Sequence, residues 1–265
     1  MAVAVASLLA IMSWEAKKIG IRRDIYGVFL WGVIGALIGG RIAYIIYDWQ
    51  HFIANPLDII GFAGLAQNGV IIGVIVAALI YMRVTRMRFS TLLSMGDAVA
   101  VGMPLALAIG RIGCIINGCC SGKLSPFQSF PWAVIYAPCP SGTPLQDWYY
   151  LSTPYLGKPI YPTQIYHLVW SLIVFAVVWR FRGKFKPEGC LLFFCLCLFT
   201  AGDFGVRFLR IGEPMLWGLY QAQVLDLAIL AVFLPWLIIR IRRFKKQTLL
   251  TELANVAESE QSHKD

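Results

Sequence analysis

The sequence predicts an all-α integral membrane protein with seven transmembrane helices and a small extracytoplasmic cap between spans four and five. Three observations predict it. Hydrophobic residues make up 58% of the 265-residue chain and charged residues only 14%, against about 25% charged in a typical soluble domain, and the mean hydropathy is +0.69. The apolar residues fall into runs of about 17–25, the length that crosses a bilayer core. The net charge of +9 is gathered into short basic clusters between those runs. A nucleic-acid surface would need it along one solvated face, so no nucleic-acid partner is expected.

The opening run, residues 1–14, is short for a span. Its charges follow the apolar stretch, the reverse of a secretory signal, so it reads as a first span with the N-terminus outside. Lys17, Lys18, Arg22 and Arg23 form the first basic cluster. Spans at 25–47 and 66–82 lead to the second cluster, Arg83, Arg86 and Arg88. A fourth span at 94–117 opens into the connection 118–160, rich in Pro, Gly, Trp and Tyr, a composition that suits short strands and turns near the interface. Spans at 163–179 and 189–209 flank Arg180, Arg182, Lys184 and Lys186, and the last, 217–239, ends on Arg240, Arg242, Arg243, Lys245 and Lys246. The positive-inside rule puts all four clusters in the cytoplasm, which places 118–160 outside and the C-terminus inside. Residues 1–247 thus read as a single polytopic membrane domain. Residues 248–265 read as a cytoplasmic polar tail, a helix end fraying into disorder.

Within the spans the notable residues are small or charged. "GVIGALIGGRIAYIIYD" sets Gly35 with Gly39 and Ala36 with Gly40, a spacing that permits close helix approach. Arg41, Arg111 and Arg210 lie near the outer ends of three different spans, within roughly 10 Å of the interface at ~1.5 Å per residue. Arg207 shares a helix face with Arg210, and Asp203 one turn earlier is its expected partner. Any one arginine is accounted for by snorkelling. Several on separate helices, flanked by Gly or Tyr, point to a convergent basic pocket that grips a phosphate through paired N–H donors.

Cys114, Cys119, Cys120 and Cys139 fall at or beyond the outer face, and Cys190, Cys195 and Cys197 in or below the sixth span. The outer four could form disulfides in an oxidising compartment. Their spacing lacks the C-x-x-C pairing of zinc sites, so no metal site is expected. The chain carries no phosphate-loop lysine motif, H-E-x-x-H or dinucleotide glycine fingerprint, and no cofactor is expected.

"GRIGCIINGCCSG" resembles the signature of the bacterial prolipoprotein diacylglyceryl transferases, in which Gly-Arg-x-Gly-Asn-Phe-x-Asn-x-Glu-x-x-Gly closes a membrane helix. Gly110, Arg111, Gly113, Asn117 and Gly122 match. "GGRIAYIIYD" (Arg41, Tyr44), "QNGVIIGV" (Gly69, Gly73), "YPTQIYH" (Pro162, Thr163, Gln164, Tyr166) and "VRFLRIGEP" (Arg210) follow in family order, so the resemblance covers residues 20–240. It implies a multi-pass protein of the bacterial cytoplasmic (inner) membrane. Such an enzyme moves the diacylglyceryl group of phosphatidylglycerol onto the lipobox cysteine of a prolipoprotein and releases glycerol phosphate. The partners implied are phosphatidylglycerol, the prolipoprotein and membrane lipids. Arg111 and Arg210 would hold the lipid phosphate and stabilise charge on the leaving group, while the attacking thiolate comes from the substrate.

By the same resemblance Asn117 orients the headgroup, and Tyr44 and Gln164 line the site with Arg41, Asn68, Gly69, Gly110, Gly113, Tyr166, Arg207 and Glu213. The chain departs from the family where Asn68-Gly69-Val70 replaces His-Gly-Gly, whose histidine is the usual general base. Cys114 and Cys119 replace the signature's Asn and Glu, and His167 and Arg207 stand where Glu is usual. His167, Glu213 or the acceptor cysteine's own ionisation would then have to dispose of the proton. A second reading is a non-catalytic, redox- or metal-linked membrane protein that retains the phospholipid pocket and uses Cys114, Cys119 and Cys120.

Overall fold

The computed structural model describes residues 2–54, 66–138, 155–212, 214–216 and 218–262. The helices are α1 (Ala2–Ile19), α2 (Arg22–Tyr47), the short α3 (Trp49–Ala54), α4 (Gln67–Val84), α5 (Phe89–Asn117), α6 (Thr163–Phe181), α7 (Cys190–Arg207) and α8 (Gln221–Ser262). Among the described residues, five stretches are long and apolar enough to cross a membrane: Ile25–Tyr47, Phe89–Asn117, Thr163–Phe181, Cys190–Arg207 and Gln221–Leu253. The apolar part of α4, Asn68–Val84, is shorter, and α1 carries Glu15, Lys17 and Lys18 near its end. The chain is therefore a multi-pass membrane protein by its helices.

Two differences from the sequence reading have local causes. The final helix starts at Gln221 because the residues before it form a hairpin, β3 (Pro214–Leu216) against β4 (Leu219–Tyr220), turning at Gly218 with a φ of +76°. The polar tail stays helical through Ser262. Its Leu, Ala, Glu and Gln are good helix formers, and no Pro or Gly interrupts them.

The described chain forms two compact units, Met12–Gly96 and Met1–Ile11 with Asp97–Asp265. In the first, α2 and α4 pack antiparallel through glycines on both helices. A Cβ at Gly73 would strike the carbonyl oxygen of Gly35, and one at Gly69 that of Gly39. The reverse substitutions fail in the same way. Lipid tails are as apolar as leucine, so burial against lipid gains little, and backbone-to-backbone contact of this kind supplies the packing. The Ala66 N–H also reaches the Gly40 carbonyl at 3.0 Å, which ties the start of α4 to α2.

The second unit is built on α5 to α8. Ala100 and Val101 of α5, Val174 and Val178 of α6, and Leu191 and Cys195 of α7 form its buried core. The entry to α7 is made by a distant residue. Gly189 precedes the helix in the left-handed region, φ +86°, with no side-chain cap of its own. Asp97 of α5 supplies the cap, accepting the Gly189 N–H at 2.7 Å and the Leu192 N–H at 2.8 Å. A carboxylate here also opposes the partial positive charge of the helix start. At the other end of α7, Gln223 of α8 donates to the Phe204 carbonyl at 3.3 Å. Between them, a Cβ at Gly202 would overlap the Trp170 indole, whose Nε1 donates to the Leu198 and Phe199 carbonyls.

Two substitutions test these contacts in detergent-purified protein. Gly73→Ala forces a methyl into a backbone oxygen and should lower the thermal midpoint by the equivalent of about 1–3 kcal/mol. Gly32→Ala, with nothing within 4 Å of the new Cβ, should hold or raise it. Asp97→Ala leaves two helix N–H groups unpaired and should cost about 1.5–3 kcal/mol, read in the same thermal scan.

Candidate functional site

The chain after α5 makes a turn that is locked to two other segments. Asn117 closes the helix, Gly118 has a φ of +63° and Cys120 one of +57°. The Cys119 carbonyl accepts from Gln164 Nε2 at 2.9 Å, and the Cys120 carbonyl from Thr163 Oγ1 at 2.8 Å. The Tyr136 hydroxyl donates to the Ile115 carbonyl at 3.0 Å. Burial, with the Cys119 and Cys114 thiols beside it, pushes the Tyr136 phenol above its usual range, so it remains protonated and a donor.

Gly122 follows as the crossing point. Its N–H donates to the Tyr161 carbonyl at 3.0 Å, and the next N–H, of Lys123, donates to the Leu209 carbonyl at 2.8 Å. It also forms an antiparallel bridge with Arg210. A Cβ at this position would lie 2.6 Å from the Tyr161 oxygen and 2.7 Å from the Leu209 oxygen. Only glycine fits. The end of α5, the start of α6 and the end of α7 are thus stitched together by main chain. They carry Arg111, then Gln164 and His167, then Arg207 and Arg210. Nearby, β1 (Val134–Ile135) pairs with β2 (Pro159–Ile160), and Leu124 bridges to Ile160.

His167 is 1% exposed, and its Nδ1 lies 3.2 Å from Asp203 Oδ1. The pair meets the distance of an ion pair but not the alignment of a hydrogen bond, and His167 Nε2 has no hydrogen-bond partner among the described residues. Asp203 is shared: its Oδ2 accepts from Arg207 Nε at 2.5 Å, and the same Nε is 3.3 Å from Asp226 Oδ2. The guanidiniums of Arg111, Arg210 and Arg207 are all close enough to act on His167 electrostatically. A buried imidazole with one nitrogen open and a carboxylate beside the other offers a proton acceptor only where a bound anion offsets the neighbouring guanidiniums.

The expected site residues divide between the two units. Arg111, Arg210, His167, Gln164, Arg207, Asn117, Gly110, Gly113 and Tyr166 belong to the unit just described. Tyr166 donates its hydroxyl to the Pro131 carbonyl at 2.7 Å. A Cβ at Gly110 or Gly113 would meet nothing within 4 Å, so the helix surface beside Arg111 is bare. Arg41, Tyr44, Asn68 and Gly69 belong to the other unit. There the Arg41 guanidinium lies 5.6 Å from the Tyr44 ring centre and 5.4 Å from that of Phe52, Asn68 donates to the Tyr47 hydroxyl at 3.2 Å, and Gly69 is spent on packing against α2. Glu213 lies outside the described residues.

Sequence reasoning anticipated the Asp203–Arg207 pair but missed two roles, Asp203 against His167 and Asp226 against Arg207. A carboxylate inside an apolar run was the available signal for Asp226. It also set Gly122 down as a signature match without its steric reason.

A profile of the prolipoprotein diacylglyceryl transferase family matches residues 1–239. The phosphatidylglycerol–prolipoprotein diacylglyceryl transferase of Dehalococcoides mccartyi is 31% identical over 90% of this chain and 87% of its own length. Its counterpart in Clostridioides difficile is 32% identical over 80% and 77%. That of Coxiella burnetii is 31% identical over 77% and 69%.

Gly122→Ala should loosen the stitched turn. The expected result is faster amide exchange across residues 118–123 and a loss of about 1–3 kcal/mol of stability, with the helices retained by circular dichroism. Gly113→Ala, which has room, should leave exchange unchanged.

Proposed function

We propose that this chain, which belongs to the prolipoprotein diacylglyceryl transferase family, moves the diacylglyceryl group of phosphatidylglycerol onto the lipobox cysteine thiol of a prolipoprotein. The observation that carries the proposal is the stitched junction in which Gly122 ties the segments bearing Arg111, His167 and Arg210 to one another. The acceptor thiol gives up its proton, and the thiolate sulphur attacks the glyceryl carbon bonded to the phosphate oxygen. The C–O bond breaks, and glycerol phosphate leaves with the electron pair. Arg111 and Arg210 bind the phosphate through paired N–H donors and offset the charge that builds on the leaving oxygen. His167 receives the thiol proton at Nε2. Asp203 then faces the charged ring from the Nδ1 side and stabilises it, while Arg207 keeps that carboxylate in place. His167 in this role takes over from the family histidine replaced by Asn68.

Asn117 and Gln164 border the same turn and orient the headgroup. The bare surface at Gly110 and Gly113 leaves room for the lipid, and Tyr166 fixes the loop above α6. Arg41, Tyr44, Asn68 and Glu213 keep the binding roles the resemblance implies for them. The finer topology belongs to this proposal too: one membrane domain over residues 1–247, seven spans, N-terminus outside, C-terminus inside, and residues 118–160 an extracytoplasmic cap. The alternation of basic clusters supports it.

The direct assay mixes protein in phosphatidylglycerol vesicles with a lipobox peptide and measures the mass gained on the peptide thiol. Arg111→Ala should abolish transfer and Arg111→Lys should retain part of it, because lysine keeps the charge without the fork. His167→Gln should slow transfer by about 10²–10⁴ at neutral pH. Alkaline pH should relieve the loss as the acceptor thiol ionises unaided. Lipid binding without any transfer by wild type would favour the non-catalytic reading. An export-dependent reporter fused at residue 142 should be active; activity confined to the cytoplasm overturns the topology.

A further inference from the structure

We propose that Cys114, Cys119 and Cys120 form a three-thiolate site for one thiophilic d10 cation, zinc(II) or copper(I). Their sulphurs all lie within 4.8 Å of one another. Around a cation with metal–sulphur bonds of about 2.3 Å, three sulphurs sit about 4 Å apart, so each pair needs to close by no more than about 1 Å. Small side-chain rotations suffice.

The local fold explains a convergence that the spacing hides. Cys114 lies on the last turn of α5, and four residues separate it from Cys119. Gly118 ends the helix in the left-handed region, at φ +63°, and doubles the chain back. Neighbouring residues of an extended chain point to opposite sides, which would part Cys119 from Cys120. Here Cys120 is itself left-handed at φ +57°, and both sulphurs face the one from Cys114. For a residue other than glycine this conformation costs about 1–2 kcal/mol. It is held by the bonds from Gln164 and Thr163 to the two cysteine carbonyls.

The three thiols are free and half-buried, shielded from bulk water yet reachable by an ion. The cysteines of α7 make a contrast, since Cys190, Cys195 and Cys197 are buried along the helix and Cys195 Sγ points at the Ala100 carbonyl at 3.6 Å. A disulfide would use two of the three sulphurs and strand the third, whereas one soft cation uses all three. Three thiolates around a divalent ion leave one negative charge, and Arg111, one turn before Cys114 on the same helix face, offsets it. Each thiol loses a proton as its metal–sulphur bond forms, and no electron is transferred. The site would clamp the turn between Asn117 and Gly122.

The test uses the full-length protein in detergent, reduced with a non-thiol reductant without oxygen, stripped by chelator, loaded separately with zinc(II) or copper(I), and desalted. Elemental analysis should find one equivalent of at least one cation per chain in wild type. That equivalent should be absent from Cys114→Ser, Cys119→Ser and Cys120→Ser and present in Cys195→Ala. As a folding control, the stripped variants should melt with stripped wild type, and the cation should raise only the melting point of proteins with all three thiols. Failure of wild type to bind either cation, or equal binding by wild type and the triple serine variant, overturns the site. The readout is metal content, so its failure is distinct from failure of the transferase reading.

Discussion

The junction at Gly122 is the constraint on which the rest of the functional unit depends. Two carbonyl oxygens from different segments approach a single α-carbon so closely that no side chain fits between them. That closeness is what allows the Gly122 and Lys123 N–H groups to bond outward to both segments. Main-chain hydrogen bonds fix the relative position of helix ends far more tightly than side-chain packing does. The segments that bear Arg111, His167 and Arg210 are therefore held to one another. In a membrane the alternative, mutual repulsion relieved by snorkelling, is always open to a loosely held arginine.

Asp203 works within that frame as a charge regulator. Positive groups gathered for an anion repel one another when the anion is absent. A buried carboxylate touching both Arg207 and His167, with Asp226 a little further away, makes the empty site tolerable. The cost is competition: a carboxylate that bonds an arginine strongly leaves it fewer donors for a phosphate. Arg207 is committed to the carboxylates, and the proposed function leaves Arg111 and Arg210 for the substrate.

Much of the architecture was legible because the membrane makes few demands on a sequence, namely length, apolarity and flanking charge. The internal runs at 25–47, 94–117 and 163–179 each fall on a helix. What was illegible is what depends on direction. The hairpin at Gly218 and the cap on α7 are set by a left-handed glycine and by a carboxylate ninety-two residues distant, and hydropathy contains neither. The same holds for the cysteines. Their spacing argues against a shared ligand, and the two positive φ angles at Gly118 and Cys120 reverse the argument. Arg111 and Arg210 could be singled out from sequence because charge at membrane depth is rare. Asp203 was seen as the partner of Arg207, but its approach to His167 links residues thirty-six apart on different helices.

The glycine faces of α2 and α4 have a mechanical consequence. Carbonyl oxygens of each helix sit directly over glycines of the other, so the pair is geared. Neither helix can slide or roll by a fraction of a turn without driving backbone into backbone. A displacement imposed on either helix must therefore carry the other with it, the two moving as one lever.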